Sequence, residues 1–166
     1  MVFREKNDVY AALTKNEIPG TYHWILYFVL TPRSGWKMHA TNDGDARTWK
    51  YERKTWNGPD SFLAVTFTKI GHVDDDFDVE MLEEYVKDIP MSLPEVDIGK
   101  EPRFTCRVWF KEAIRRLNHA ELFVNCPDVD ALERELVQRA SALELGQLGN
   151  MMLPYFYTTR MAQAWP

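Results

Sequence analysis

The hydrophobic pattern of the chain changes its period halfway along, and this change limits the possible folds more than any other feature. The first half has short apolar or alternating runs separated by Pro, Gly, Asn and Asp, which is typical of strands joined by turns. The second half has apolar residues three or four positions apart, which is typical of amphipathic helices. The predicted strands are 21–30, 36–41, 46–56 and 61–71, and the predicted helices are 78–89, 105–117 and 128–143. We therefore expect an α+β fold, in which helices pack on an antiparallel sheet.

The length and composition favour a single domain with a substantial core. The chain has 166 residues, of which 45% are hydrophobic and 13% aromatic. Single domains commonly have about 100 to 200 residues. We expect residues 1–20 to form a polar N-terminal leader that ends at the turn "IPG", and residues 21–166 to form one α+β domain. The apolar segment 151–165 is expected to pack back onto the sheet.

The charge and the cysteine content limit the classes of partner that we expect the protein to bind and the compartment in which we expect it. The net charge of −5 argues against general binding to nucleic acid or to a membrane surface, since both need a positive field. No apolar run approaches the roughly 18 residues of a membrane span. The two cysteines are too few for the disulfide framework of a small secreted protein. We expect a cytoplasmic protein that acts on a small molecule.

Cys106 is the first candidate for chemistry, because it lies at the start of a predicted helix. Thr105 is a suitable N-cap for that helix, and the helix dipole would favour the thiolate. Backbone N–H groups at the same place could stabilise an oxyanion next to the sulfur. The alternative is purely structural: Cys106 shares a stripe with Trp109 and Phe110 and could be a small buried hydrophobe.

His23 and His39 are the second candidate, because they lie in two strands of one predicted hairpin. The loop midpoint between Leu30 and Trp36 places the two histidines close together but not directly opposite, and a bulge or a shifted register could bring both imidazoles to one face. A thiol nucleophile needs a base, and the base needs a partner that holds its tautomer. His23 and His39 could fill those two roles. They could equally be hydrogen-bonded structural residues.

No pattern for a metal or a cofactor is present, and none is expected. The acidic run "DDDFDVE" lacks the Gly and the spacing of a calcium loop. The Cys and His residues do not occur at zinc-ligand spacing, and the chain has no Gly-rich phosphate or dinucleotide motif.

The segments "YHWILYFV", "KMHAT" and "FTCRVWFKEAIRRL" carry a resemblance to known proteins. Together they resemble a group of small fungal proteins with an uncharacterised domain, over residues 20–120. The order of two histidine strands followed by a cysteine helix is also similar to the circularly permuted papain-like fold of the lecithin:retinol acyltransferase relatives. The resemblance implies His23 as general base, His39 as the residue that orients it, and Cys106 as nucleophile. It also implies a place near fungal secondary metabolism.

The leading functional hypothesis is therefore cysteine-dependent acyl transfer, or hydrolysis of an ester, amide or thioester on a small molecule. The residues expected to bind the substrate are Tyr22, Trp24, Trp36 and Trp109. A second hypothesis drops the thioester: His23 and His39 act as acid and base on a polycyclic metabolite held by these aromatic residues, as a cyclase or isomerase would. A third is a binding domain of the same fold without catalysis.

Overall fold

A computed structural model describes residues 4–43, 45, 47–146 and 154–166. Its strands are β1 (Asp8–Lys15), β2 (Tyr22–Thr31), β3 (Ser34–Thr41), β4 (Lys50–Trp56), β5 (Ala64–His72) and β6 (Tyr155–Thr158). Its α-helices are α1 (Val79–Glu83), α2 (Cys106–Ala120) and α3 (Val129–Gly146). The predicted α+β class is confirmed, and each predicted strand and helix corresponds to an element of the structure.

All six strands form one sheet, in the order β4-β3-β2-β1-β5-β6. Every neighbouring pair is antiparallel except β5 and β6, which are parallel. The sheet is therefore mixed, and the expectation of an antiparallel sheet holds only for its first five strands in space. β4 lies at one edge, where the polar alternation of its sequence fits a strand with one free side.

The polar leader expected over residues 1–20 is wrong for residues 8–15, which form the central strand β1. This strand pairs with β2 on one side and with β5 on the other. The run from Val9 to Leu13 is fully buried, as expected for a strand covered on both faces, where apolar residues are continuous and do not alternate with polar ones.

The two faces of the sheet differ in what covers them. The helix face packs against α2 and α3, and its core includes Leu13, Trp24, Leu26, Met38 and Trp109. The back face carries a smaller apolar cluster that includes Tyr10, Ile25, Tyr27 and Phe67. The segment between β4 and β5 lies against this cluster, because Gly58 lies next to the rings of Trp56 and Phe67.

The helices begin where the sequence predicts. Thr105 accepts a hydrogen bond from the backbone N–H of Val108 at the start of α2, and Asp128 accepts one from Ala131 at the start of α3. These are N-caps, which satisfy N–H groups that lack a helical partner. α1 is shorter than the predicted helix 78–89. Its regular helical turns end at Glu83, and turns outside the α-helix follow up to residue 88.

The C-terminal segment packs on the sheet as predicted, through the pairing of β6 with β5. Residues 151–153 of the expected segment lie outside the described residues. None of the described helices is long and apolar enough to cross a membrane.

Candidate functional site

His23 and His39 lie in contact on the back face of the sheet. The register between β2 and β3 pairs Leu26 with Met38, and its continuation places the two histidines diagonally across from each other on one face. The Nε2 atom of His23 is 2.5 Å from the Nδ1 atom of His39. The prediction that residues 23 and 39 lie close but not directly opposite is confirmed.

Glu52 extends this pair into a chain of three ionisable groups. β4 places Glu52 directly opposite His39, and its Oε1 atom lies 3.0 Å from the Nε2 atom of His39. Glu52 was not among the site residues predicted from the sequence. Its signal was the alternation of β4, which puts Glu52 and Lys54 on one face of a strand that pairs with the histidine strand. We call Glu52, His39 and His23 the relay.

The order of protons in the relay follows from the charge of Glu52. The hydrogen bond from His39 holds the pKa of Glu52 below its usual value, so the carboxylate is ionised and only accepts. His39 therefore donates through Nε2–H, and its Nδ1 accepts from the Nε2–H of His23. The remaining ring nitrogen of His23, Nδ1, keeps its lone pair and has no hydrogen-bond partner among the residues that the structure describes.

Both imidazoles are neutral near pH 7. Burial, followed by the neighbouring His39 ring and Lys37, lowers the pKa of His23 to about 3. Burial also lowers the pKa of His39, against the opposing effect of Glu52. His39 is only 4% exposed, whereas His23 is half-buried and partly open to solvent. Desolvation disfavours the charged form of a buried imidazole, which explains the common direction.

Cys106 occupies the predicted place at the first residue of α2, but in a setting that favours the thiol. Its Sγ donates to the backbone carbonyl of Tyr22 at 4.0 Å, and the residue is 7% exposed. Burial raises the pKa of the Cys106 thiol, and this outweighs the nearby backbone N–H groups and Arg107. The helix start alone therefore does not produce a thiolate.

The structure does not bring Cys106 and His23 together, which corrects the expected contact between nucleophile and base. Tyr22 and Trp24 belong to the helix-face core that contains Cys106. Successive side chains of a strand point to opposite faces, so His23, between them, points to the back face. The imidazole contacts His39 there, and the sulfur contacts the Tyr22 carbonyl on the other side of the strand.

The four aromatic residues expected to bind substrate are separated from the relay as well. Tyr22 and Trp24 line a cleft on the helix face beside Cys106, and Trp36 lines a different cavity beside Phe28. Trp109 is fully buried and stacks on Tyr51, so a ligand cannot reach it in this structure. The expectation that these residues surround the histidines is therefore not met.

Metal chemistry has no visible support in the described part of the chain. Within residues 4–43, 45, 47–146 and 154–166, no group of three or more His, Cys, Asp or Glu side chains is arranged to hold an ion. The relay itself contains two imidazoles and one carboxylate, but its ring nitrogens face each other and Glu52, not a common point.

A family model matches residues 9–124, which is more than half of the chain. The chain belongs to DUF6540, a family of unknown function. The matched part of this DUF6540 chain contains the whole relay, Cys106 and the first five strands except Asp8, and it ends before α3. The family description gives no link to a papain-like fold or to fungal origin, so both remain predictions. No curated protein and no solved structure matches the chain.

Proposed function

We propose that this DUF6540 chain is an enzyme that moves a proton on a small molecule, with His23 as the group that takes and returns it. The observation that carries the proposal is the relay, in which an ionised Glu52 orients His39 and His39 orients His23. The outcome of this order is one bare ring nitrogen, Nδ1 of His23, on a partly exposed side chain. A base with a fixed tautomer and a free lone pair is what general base catalysis needs.

The relay offers a route for the positive charge that proton transfer would create. When Nδ1 of His23 accepts a proton, its Nε2 proton can pass to Nδ1 of His39. The Nε2 proton of His39 can then pass to Glu52. The proton count is conserved, and the end state is two neutral imidazoles and a neutral carboxyl group. Because a buried imidazolium is costly, this route lowers the energy of the intermediate.

The low basicity of His23 favours reversible proton transfer over net deprotonation. Its lowered pKa means that protonated His23 gives the proton back readily. Isomerisation and cyclisation both need the proton to be returned to a second atom of the substrate. The substrate would need a proton that is already acidic, such as a C–H next to a carbonyl group.

Lys37 provides a positive charge beside the relay. Its Nζ lies 5.2 Å from the centre of the Trp56 ring, and it makes no salt bridge within the described residues. Burial and the neighbouring Lys54 lower the pKa of Lys37, because a partly buried ammonium group is incompletely solvated. A cation in this position would stabilise an enolate that forms when the substrate loses its proton.

Acyl transfer through Cys106, together with the permuted papain-like arrangement, has weaker support. The described contacts provide no base for the thiol, and burial raises its pKa. The acid–base hypothesis uses the two histidines in the contact that the structure gives them. It therefore fits the geometry better.

The test uses 5-nitrobenzisoxazole, a small aromatic compound whose ring opens when a base removes its C–H proton. We expect the wild-type protein to accelerate this reaction, and His23→Gln to lose at least about tenfold of the rate, in line with the contribution of a positioned base. His119→Gln is the matched control, because His119 is exposed and lies outside the relay. Cys106→Ser should retain the rate.

Two outcomes would overturn the proposal. One is a wild-type rate no greater than that of the same concentration of free imidazole. The other is an equal rate in wild type and His23→Gln, with both proteins shown to be folded by circular dichroism. Loss of the rate in Cys106→Ser would indicate that the Cys106 thiol, and not His23, carries out the reaction.

A further inference from the structure

A cleft of about 790 Å³ opens on the helix face, on the other side of β2 from the relay. The turn between β1 and β2, the first residues of α2, and Trp49 contribute to its walls. Its volume falls in the range of about 300 to 1,000 Å³ that is usual for small-molecule sites. Neither His23 nor His39 lines it. The relay does not account for it.

Two tryptophan rings in the cleft are held in place by other aromatic rings. Trp24 packs against Phe110 with the ring centres 5.4 Å apart, and Trp49 meets the edge of Phe104 at 5.7 Å. Trp24 is almost completely buried, whereas Trp49 is half-buried. Rings that are already fixed lose little entropy when a ligand packs on them. Such surfaces favour a flat, aromatic ligand.

The cleft also presents a positive charge, that of Arg103. Arg103 lines it, is exposed, and makes no ion pair or hydrogen bond with any residue that the structure describes. Arg107, four residues along, is already occupied: its guanidinium binds Glu101 at 2.5 Å and also contacts Glu133. An exposed arginine that lines an aromatic cleft and has no partner among the described residues can bind a carboxylate through two parallel hydrogen bonds.

The other polar groups of the cleft act in both directions on a ligand that carries one negative charge. α2 has 15 residues and its N-terminus opens into the cleft at Thr105 and Cys106, where the helix dipole adds positive potential. The Cys106 side chain contributes a neutral thiol. Glu17, in the turn between β1 and β2, also lines the cleft, and its carboxylate would repel the negative charge of a ligand wherever the two come close.

We propose that this cleft is a binding site for a flat aromatic carboxylate, whose ring packs beside Trp24 and Trp49 and whose carboxylate binds Arg103. The site is separate from the relay and does not depend on the proposed proton transfer. Its ligand can be a substrate, a product or a regulator, but the recognition chemistry is the same in each case.

The experiment is a titration with 2-naphthoate, followed by the indole N–H signals of protein labelled with ¹⁵N-tryptophan. We expect the signals of Trp24 and Trp49 to shift and saturate, while that of Trp56, on the back face, stays in place. Arg103→Gln should weaken binding up to about fivefold, since an exposed ion pair contributes up to about 1 kcal/mol. Arg160→Gln, the matched loss of an exposed positive charge away from the cleft, should not.

The uncharged analogue 2-naphthylmethanol separates charge recognition from simple hydrophobic binding. The proposal requires that 2-naphthylmethanol bind to wild type more weakly than 2-naphthoate does. It also requires that 2-naphthylmethanol bind equally well to wild type and to Arg103→Gln. Absence of saturable shifts, equal binding of the two compounds to wild type, or equal weakening by Arg103→Gln and Arg160→Gln would overturn it. Because the readout is binding alone, failure here leaves the test with 5-nitrobenzisoxazole unaffected.

Discussion

The two faces of β2 at residues 22–24 have different chemistry within three positions of the chain. Tyr22 and Trp24 point into the helix-face core beside Cys106, whereas His23 points to the back face and contacts His39. Neighbours in sequence are thus separated by the sheet itself. Strand parity therefore decides which groups can react together, because a strand alternates its side chains regardless of how close they are along the chain.

The largest expected difference between the faces is in stability. Trp24→Ala removes a buried ring that packs on Phe110, and should lower the free energy of unfolding by about 3–5 kcal/mol. His23→Gln, one position away, keeps a donor that can reach His39, and should cost only about 1 kcal/mol. Urea unfolding of both variants measures the difference. Equal losses would show that residue 23 is packed as tightly as residue 24.

A smaller expected effect is the pH dependence of stability that His23 causes on the back face. The pKa of His23 is about 3 in the folded chain, below the value of about 6.5 for an unfolded one, so as the pH falls the unfolded chain takes up a proton first. Its full contribution to stability is therefore present above about pH 6.5 and decreases towards pH 3. Between pH 7 and 5 we expect a loss of about 2 kcal/mol from His23.

The control for this pH dependence is the same measurement on His23→Gln. The variant should lose less stability than wild type over the same interval, because it lacks one of the two buried imidazoles. His119→Gln should follow wild type. A pH dependence that His23→Gln leaves unchanged would mean that His23 is readily protonated in the folded protein.

The smallest expected effect is that of His23 on the reactivity of Cys106, which lies on the other face of the sheet. Cys106 should react with iodoacetamide more slowly than a free cysteine at pH 7.5, because burial raises the pKa of its thiol. His23→Gln should not change that rate, since the imidazole lies across the strand from the sulfur. Mass spectrometry of the peptide that contains residue 106 separates it from Cys126. Faster labelling in wild type than in His23→Gln would show that His23 does act as a base for Cys106.

The sequence predicted those parts of the fold that depend on local patterns. The apolar run of β2, the loop residues of its hairpin and the caps Thr105 and Asp128 each indicated an element that the structure contains. β1 was missed because charged residues around it resemble a leader, although the unbroken run from Val9 to Leu13 is typical of a central strand.

The candidate site was predictable only in part, for a physical reason. The hairpin brings His23 and His39 together through local pairing, so the sequence could suggest their contact. The position of Cys106 depends on which face of the sheet α2 covers, and this is a property of the whole core. Glu52 could be recognised only after β4 was known to pair with β3.

The most direct test of the relay is a ¹H–¹⁵N spectrum of the histidine rings, which reports which ring nitrogen carries each proton. The relay predicts that His23 and His39 are both neutral between pH 7 and pH 8, each protonated on Nε2 only, with Nδ1 of His23 bare. Protonation of His23 on Nδ1, or titration of both rings near the ordinary histidine pKa of about 6.5, would contradict it.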